Sequence, residues 1–144
     1  SGQGIPIVSD RVRKAILGVP AEARLGDLPD EGLYEPRKIE GVYRGLLERA
    51  GSVVESGRVA ILDAGFASRA RRHEARRWAA ERGLSARLIE VRCSPDTARE
   101  RLARRAEAGN DPSDAGPEFL RLSLDRFEPP DEWPEEDHEV VWTD

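Results

Sequence analysis

Two aspartates and a set of arginines are the residues in this sequence best suited to chemistry. Asp10 follows the apolar, β-rich run Ile5-Pro6-Ile7-Val8-Ser9, and Asp63 closes the run Arg58-Val59-Ala60-Ile61-Leu62. A carboxylate in a shielded crevice at a strand end can accept a hydroxyl proton or orient a metal-bound water. Asp63 can also hold Mg2+, directly or through water, or contact a substrate hydroxyl. Each has a plainer use as well. Asp10 can cap the following helix, and Asp63 can be a hydrogen-bonded turn residue ahead of Gly65. Arg101 and Arg105 lie four residues apart, hence on one helical face, just before the Gly- and Pro-rich connection 109–117. Two guanidinium groups beside such a connection suit a transferring phosphoryl group, because that reaction is chiefly positioning and charge neutralisation. Glu100 and Glu107 offer these arginines ordinary ion pairs instead. Arg69, Arg71 and Arg72 follow Asp63 and form a candidate substrate-facing patch, with at least one of them assigned to a solvated helix face.

The elements that must position these residues alternate between strand and helix. A strand over 5–9 leads into a helix from Asp10 to Leu17, then a loop over 18–35 rich in Gly and Pro. Pro36 opens a helix to about Glu55, whose apolar stripe is Ile39, Val42, Tyr43, Leu46 and Leu47. Buried strands follow over 58–63 and 87–93, separated by a helix that Ser68 caps and that runs to about Arg82. Ser94 caps and Pro95 opens a helix through about Ala108. A helix over about 118–127 and a short strand over 139–142 complete the chain. Such alternation implies right-handed crossovers and a mainly parallel sheet covered on both faces. Ligands of such sheets gather at the carboxyl ends of the strands, where Asp10 and Asp63 fall.

Composition narrows the function classes. The 144 residues are 38% hydrophobic and 35% charged, which suits one globular domain with a hydrated surface. No apolar stretch approaches a membrane span, and a single cysteine, Cys93, favours a reducing, cytoplasmic setting. A net charge of −5 disfavours nucleic acid as a partner, although arginines crowd 69–105 while 128–144 is acidic. His73 and His138 lack zinc-ligand spacing. Cys93 and the three tryptophans, Trp78, Trp133 and Trp142, are expected to pack. The chain lacks methionine even at position 1, and Ser1-Gly2-Gln3-Gly4 has the look of a fragment end.

In order and spacing, several segments together resemble the small P-loop kinases of the zeta-toxin and polynucleotide-kinase-like group. That group has an AAA-type ATP-binding domain, often fused to an aminoglycoside-phosphotransferase-like domain. Ile7-Val8-Ser9-Asp10-Arg11-Val12-Arg13-Lys14 is similar to the group's second strand and following helix. Val59-Ala60-Ile61-Leu62-Asp63-Ala64-Gly65-Phe66, with Arg69 and Arg72 beyond it, resembles its "ILDATF…R" segment. Arg101-Leu102-Ala103-Arg104-Arg105 with Asp111-Pro112-Ser113-Asp114-Ala115 resembles its lid, placed at about 101–117. Phe127-Glu128-Pro129-Pro130 resembles the stretch before the last strand.

The resemblance implies one kinase-like domain over 1–144, a three-layer α/β/α fold with a mainly parallel sheet. It implies an ATP-dependent phosphotransferase that acts on a hydroxyl of a small molecule. Asp10 would be the general base or substrate-orienting carboxylate, and Asp63 would support substrate or Mg2+. Arg11, Arg69 and Arg72 would bind substrate, while Arg101 and Arg105 would face the phosphates. ATP and Mg2+ are the cofactors of the complete domain. The departure lies at the N-terminus, because nothing here matches G-x-x-x-x-G-K-[ST], the loop whose amides, Lys and hydroxyl hold the phosphates. The group's P-loop strand, its central one, would fall between the strands at 58–63 and 87–93. The chain alone is therefore expected to bind no nucleotide, and to dimerise, rearrange or take up the missing segment. A degenerate binding or assembly module and a polynucleotide 5′-hydroxyl kinase are the alternative readings.

Overall fold

The computed structural model describes residues 3–22, 36–108, 121 and 124–144. These residues divide into two compact units, one with its described elements within 3–65 and the other within 66–144. The first holds β1 (Gly4–Val8), α1 (Ser9–Leu17), α2 (Pro36–Glu55) and β2 (Val59–Asp63). β1 and β2 run parallel, in register from Gly4 opposite Val59 to Val8 opposite Asp63. A parallel pair needs a crossover, and α1 and α2 supply it. Ile7 from β1, Val12 from α1 and Val42, Leu46 and Ala50 from α2 form the buried core. Helices α1 and α2 approach closely at Gly45, where an added Cβ would lie 2.7 Å from Val12 Cγ1. Lys14 is also buried; its aliphatic stem packs inside and Nζ donates to the Ala21 carbonyl at 2.8 Å. Past the end of α2, Gly57 adopts φ 79°, a left-handed conformation that suits glycine at a helix terminus.

The second unit holds α3 (Arg69–Ala80), β3 (Leu88–Arg92), α4 (Pro95–Ala108), a 3-10 turn (Glu135–Asp137) and β4 (His138–Trp142). β3 and β4 are also parallel, from Leu88 opposite His138 to Arg92 opposite Trp142. Ser68 caps α3 by accepting the Arg71 amide at 3.3 Å, and Ser94 caps α4 by accepting the Thr97 amide at 3.2 Å. Both caps satisfy amides that a helix start leaves without partners. Ala79 and Trp133 are buried here, together with the guanidinium of Arg72.

The mixed α/β architecture with parallel pairing matches the sequence-based expectation, and several details correct it. Among the described residues the strands pair as two two-stranded sheets, β1 with β2 and β3 with β4. The strands over 58–63 and 87–93 are half-buried rather than buried: Val59, Ile61, Ile89 and Val91 are 47–66% exposed. Alternate side chains of a strand point to opposite faces, so covering one face leaves the other open. Trp142 is 62% exposed, contrary to the expectation that it packs, and Cys93 is only half-buried because β3 stops at Arg92. Pro6 sits in mid-strand, which is tolerated because β1 pairs on one side only among the described residues. α3 ends at Ala80, two residues early, where the Leu84 amide turns back to the Ala79 carbonyl at 3.0 Å. The connection expected over 109–117 lies outside the described residues, as do positions 118–120, 122 and 123 of the helix expected over about 118–127.

Candidate active site

The parallel register of the first unit decides where its two aspartates fall. Asp63 is the last residue of β2 and stands opposite Val8, the last residue of β1; Asp10 follows two residues later in the first turn of α1. Both carboxylates therefore belong to the carboxyl rim of one parallel pair. Asp10 does not cap α1, whose N-cap position is Val8, a residue with no side-chain acceptor. Its Oδ1 instead accepts from Arg13 Nη1 at 2.6 Å. The two groups are one helical turn apart, and their side chains are only 28% and 19% exposed. Arg13 thus fixes the rotamer of Asp10 through one carboxylate oxygen. Asp63 is exposed at the strand end. Two residues on, Gly65 is exposed, and an added Cβ there would meet only the Tyr43 hydroxyl, at 3.9 Å, among the described residues. Arg11, expected to bind substrate, is exposed on α1.

The arginines of the second unit are largely committed to acceptors of the chain itself. Arg72 is 2% exposed. Its Nε and Nη2 grip the Glu132 carboxylate at 2.7 and 3.3 Å, Nη1 donates to the Phe66 carbonyl at 2.7 Å, and Nη2 also reaches the Glu128 carbonyl at 2.8 Å. The fork geometry of guanidinium suits such a multivalent clamp. Phe66 has φ 40°, an uncommon conformation for a residue with a side chain, and the clamp on its carbonyl holds it there. Arg69 pairs with Asp131, and its backbone amide donates to the Glu128 carboxylate, which lies at the positive N-terminus of α3. Arg101 donates to the hydroxyl and the carbonyl of Thr143. Arg105 lies one turn further on, exposed at the end of α4. Thus Arg69, Arg72 and Arg101, expected to meet substrate or phosphate, are engaged with residues 66 and 128–143.

Local charge explains the perturbed carboxyls. Hydrogen bonding from Arg72 holds Glu132 below the ordinary carboxylate range, and the bidentate pair with Arg92, seconded by His138, does the same to Glu90. Asp144 is lowered chiefly by the Ser94 amide, which it accepts at 2.7 Å. All three carboxyls serve the packing of the second unit.

Sequence reasoning overlooked Arg13, Tyr43 and Glu132. The i, i+3 spacing of Asp10 and Arg13 could have identified the first. Tyr43 was absorbed into the apolar stripe of α2, and no local signal connects Glu132 to an arginine 60 residues away. Among the described residues no group of three or more His, Cys, Asp or Glu is placed to hold a metal ion; Asp63 offers one hard carboxylate of the kind that joins Mg2+ held mainly by water and phosphate oxygens. The 144 residues contain no G-x-x-x-x-G-K-[ST] loop, the usual cradle for a triphosphate.

Comparison with known proteins bears on the family and the fold. No curated protein matches the chain. A solved gluconokinase from Sinorhizobium meliloti 1021 is similar in fold, with a TM-score of 0.55 at 17% identity. The similarity covers 95% of this chain and 66% of the gluconokinase, so the chain spans less than two thirds of that protein. The fold is therefore a mixed α/β fold with parallel strands, similar to that of the gluconokinase. No helix among the described residues is long and apolar enough to cross a membrane. The profile of the AAA domain family matches residues 3–130, across both units, and the chain belongs to that family.

Proposed function

We propose that this chain carries the acceptor side of an ATP-dependent phosphotransferase that acts on a hydroxyl of a small molecule. The observation that carries the reading is the parallel register of β1 and β2, which brings Asp10 and Asp63 to one carboxyl rim. Asp10, held by Arg13, takes the proton of the acceptor hydroxyl as its oxygen attacks the γ-phosphorus of ATP and ADP leaves. Asp63 orients the acceptor or a water on Mg2+. Residues 101–117 act as a lid, with Arg105 directed to the phosphates. The phosphate-holding loop must be supplied from outside these residues, so the chain alone is inactive. The zeta-toxin and polynucleotide-kinase-like group remains the subgroup we favour, and a cytoplasmic setting fits the single cysteine. In a protein that joins this chain to a G-x-x-x-x-G-K-[ST] loop, Asp10→Asn lowers turnover by about 10²-fold or more and leaves the KM for ATP unchanged. Equal turnover removes Asp10 from the mechanism. Calorimetry of the chain alone with MgATP gives no binding heat.

A second reading draws on the open faces of β2 and β3. Exposed Val59, Ile61, Ile89 and Val91 favour a binding or assembly module, with a homodimer or an added segment as the partner. Light scattering across a concentration series tests for the dimer.

A further inference from the structure

We propose that the outer edge of β4 docks an extended, basic peptide segment of another protein, which adds to the β3/β4 pair as an antiparallel strand. The site lies within the second unit and does not depend on the phosphotransferase reading above. The Thr143 amide donates to the Arg92 carbonyl at 2.9 Å, so Thr143 turns its backbone groups toward β3. Backbone direction alternates along a strand, and His138, Val140 and Trp142 therefore turn theirs to the opposite edge. The His138 amide is taken by the Glu135 carbonyl of the preceding 3-10 turn. The His138 carbonyl and both backbone groups of Val140 and Trp142 thus line an edge that no strand among the described residues pairs with. Such an edge templates strand addition. Val140 and Trp142 also share one face of the sheet and are 39% and 62% exposed, so an apolar strip runs beside this edge.

Charge selects the occupant. Glu135, Glu136 and Glu139 are exposed and Asp137 is half-buried, so acidic side chains gather at the start of β4. Arg87 meets Glu139 at 4.0 Å with both side chains more than half exposed, a pair that neutralises little of this charge. At the other end of the strand Arg92 stands opposite Trp142 but is spent on Glu90, and Arg101 is spent on Thr143. An antiparallel partner therefore meets an apolar end at Trp142 and an acidic end at 135–139. The segment that fits both carries β-branched residues against Trp142 and Val140, then Lys or Arg opposite Glu139, Asp137 and Glu136. A second copy of β4 fits worse. Antiparallel pairing centred on Val140 carries Glu136 toward Asp144 of the other copy at both ends, and like charges placed opposite one another are destabilising.

The test titrates fluorescein-labelled peptides with the full chain and reads fluorescence anisotropy. The probe is Val-Thr-Val-Lys-Thr-Lys-Lys with both ends blocked. One control replaces its lysines with glutamates, and another replaces its second valine with proline, which cannot donate to the ladder. The probe is expected to bind and to shift the amides of Val140 and Trp142, and each control to bind about tenfold or more weakly. Added salt weakens the probe further. Glu136→Lys and Trp142→Thr each weaken it about fivefold, with circular dichroism confirming that both variants keep the fold. Equal binding of the lysine and glutamate peptides overturns the basic partner, and equal binding of the proline peptide overturns strand addition. No binding of the probe by the wild type overturns the docking site as a whole. A doubling of mass in light scattering that Trp142→Thr abolishes assigns the edge to a second copy and overturns the peptide partner.

Discussion

Replacing Arg72 with alanine should destabilise the second unit by several kcal/mol, and the structure allows the figure to be worked out. Arg72 is 2% exposed, and its guanidinium serves the Glu132 carboxylate and the carbonyls of Phe66 and Glu128. Removing one partner of a buried ion pair costs about 3–5 kcal/mol, because the remaining charge stays desolvated. Each carbonyl left without a donor adds about 1–3 kcal/mol if water cannot reach it. Glu132 retains 21% side-chain exposure and can partly rehydrate, which draws the total back to about 3 kcal/mol. Domains of this kind are stable by only about 5–15 kcal/mol, so the loss is a large fraction of the whole. Urea unfolding followed by the fluorescence of Trp133, buried in the same unit, should show it. With an m-value of about 2 kcal/mol/M, the midpoint falls by about 1.5 M. Arg72→Lys recovers little, since an ammonium cannot reproduce the fork. The pH dependence has a defined sign. Arg72 lowers the Glu132 carboxyl below its ordinary value of 4.5, so the contribution is present above that value and lost as pH falls through the folded value. Arg72→Ala should remove this acid-sensitive part as well. A loss under about 1 kcal/mol, with the acid limb unchanged, would refute the clamp.

Two further outcomes follow from the same unit. Ser68→Ala should cost about 0.5–1 kcal/mol in urea unfolding, at the low end for a cap because the Glu128 carboxylate also serves the start of α3. Glu90→Gln should flatten the acid limb of stability below about pH 4.5, since Arg92 and His138 favour the ionised carboxylate only above its lowered value. Acid titrations that superimpose on those of the wild type would remove Glu90 from that balance.

The legible part of the fold is the part written in short-range signals. Pro36, the 3.6-residue stripe through Val42 and Leu46, and Gly57 define α2 with both ends where they were expected. Ser68 and Ser94 mark two helix starts by the same local chemistry. The carboxyl-end position of Asp10 and Asp63 was legible too, because strand–helix alternation compels parallel pairing and parallel strands end on one rim.

Long-range partners were not legible. Nothing in the neighbourhood of Arg72 announces that Glu132 will neutralise it, or that Arg101 will spend its donors on Thr143. Side-chain alternation in β2 and β3 is equally consistent with a strand buried on both faces and with one open on one side; only the packing separates them, and Val59 and Ile89 turn out exposed. Sequence alone therefore determined the elements, their order and the carboxylates at the strand ends, since each depends on neighbours a few residues away. Tertiary structure decided which arginines are consumed by the protein's own acceptors and placed Tyr43 beside Gly65. Those pairings join residues tens of positions apart, and only the folded chain brings them within reach of one another.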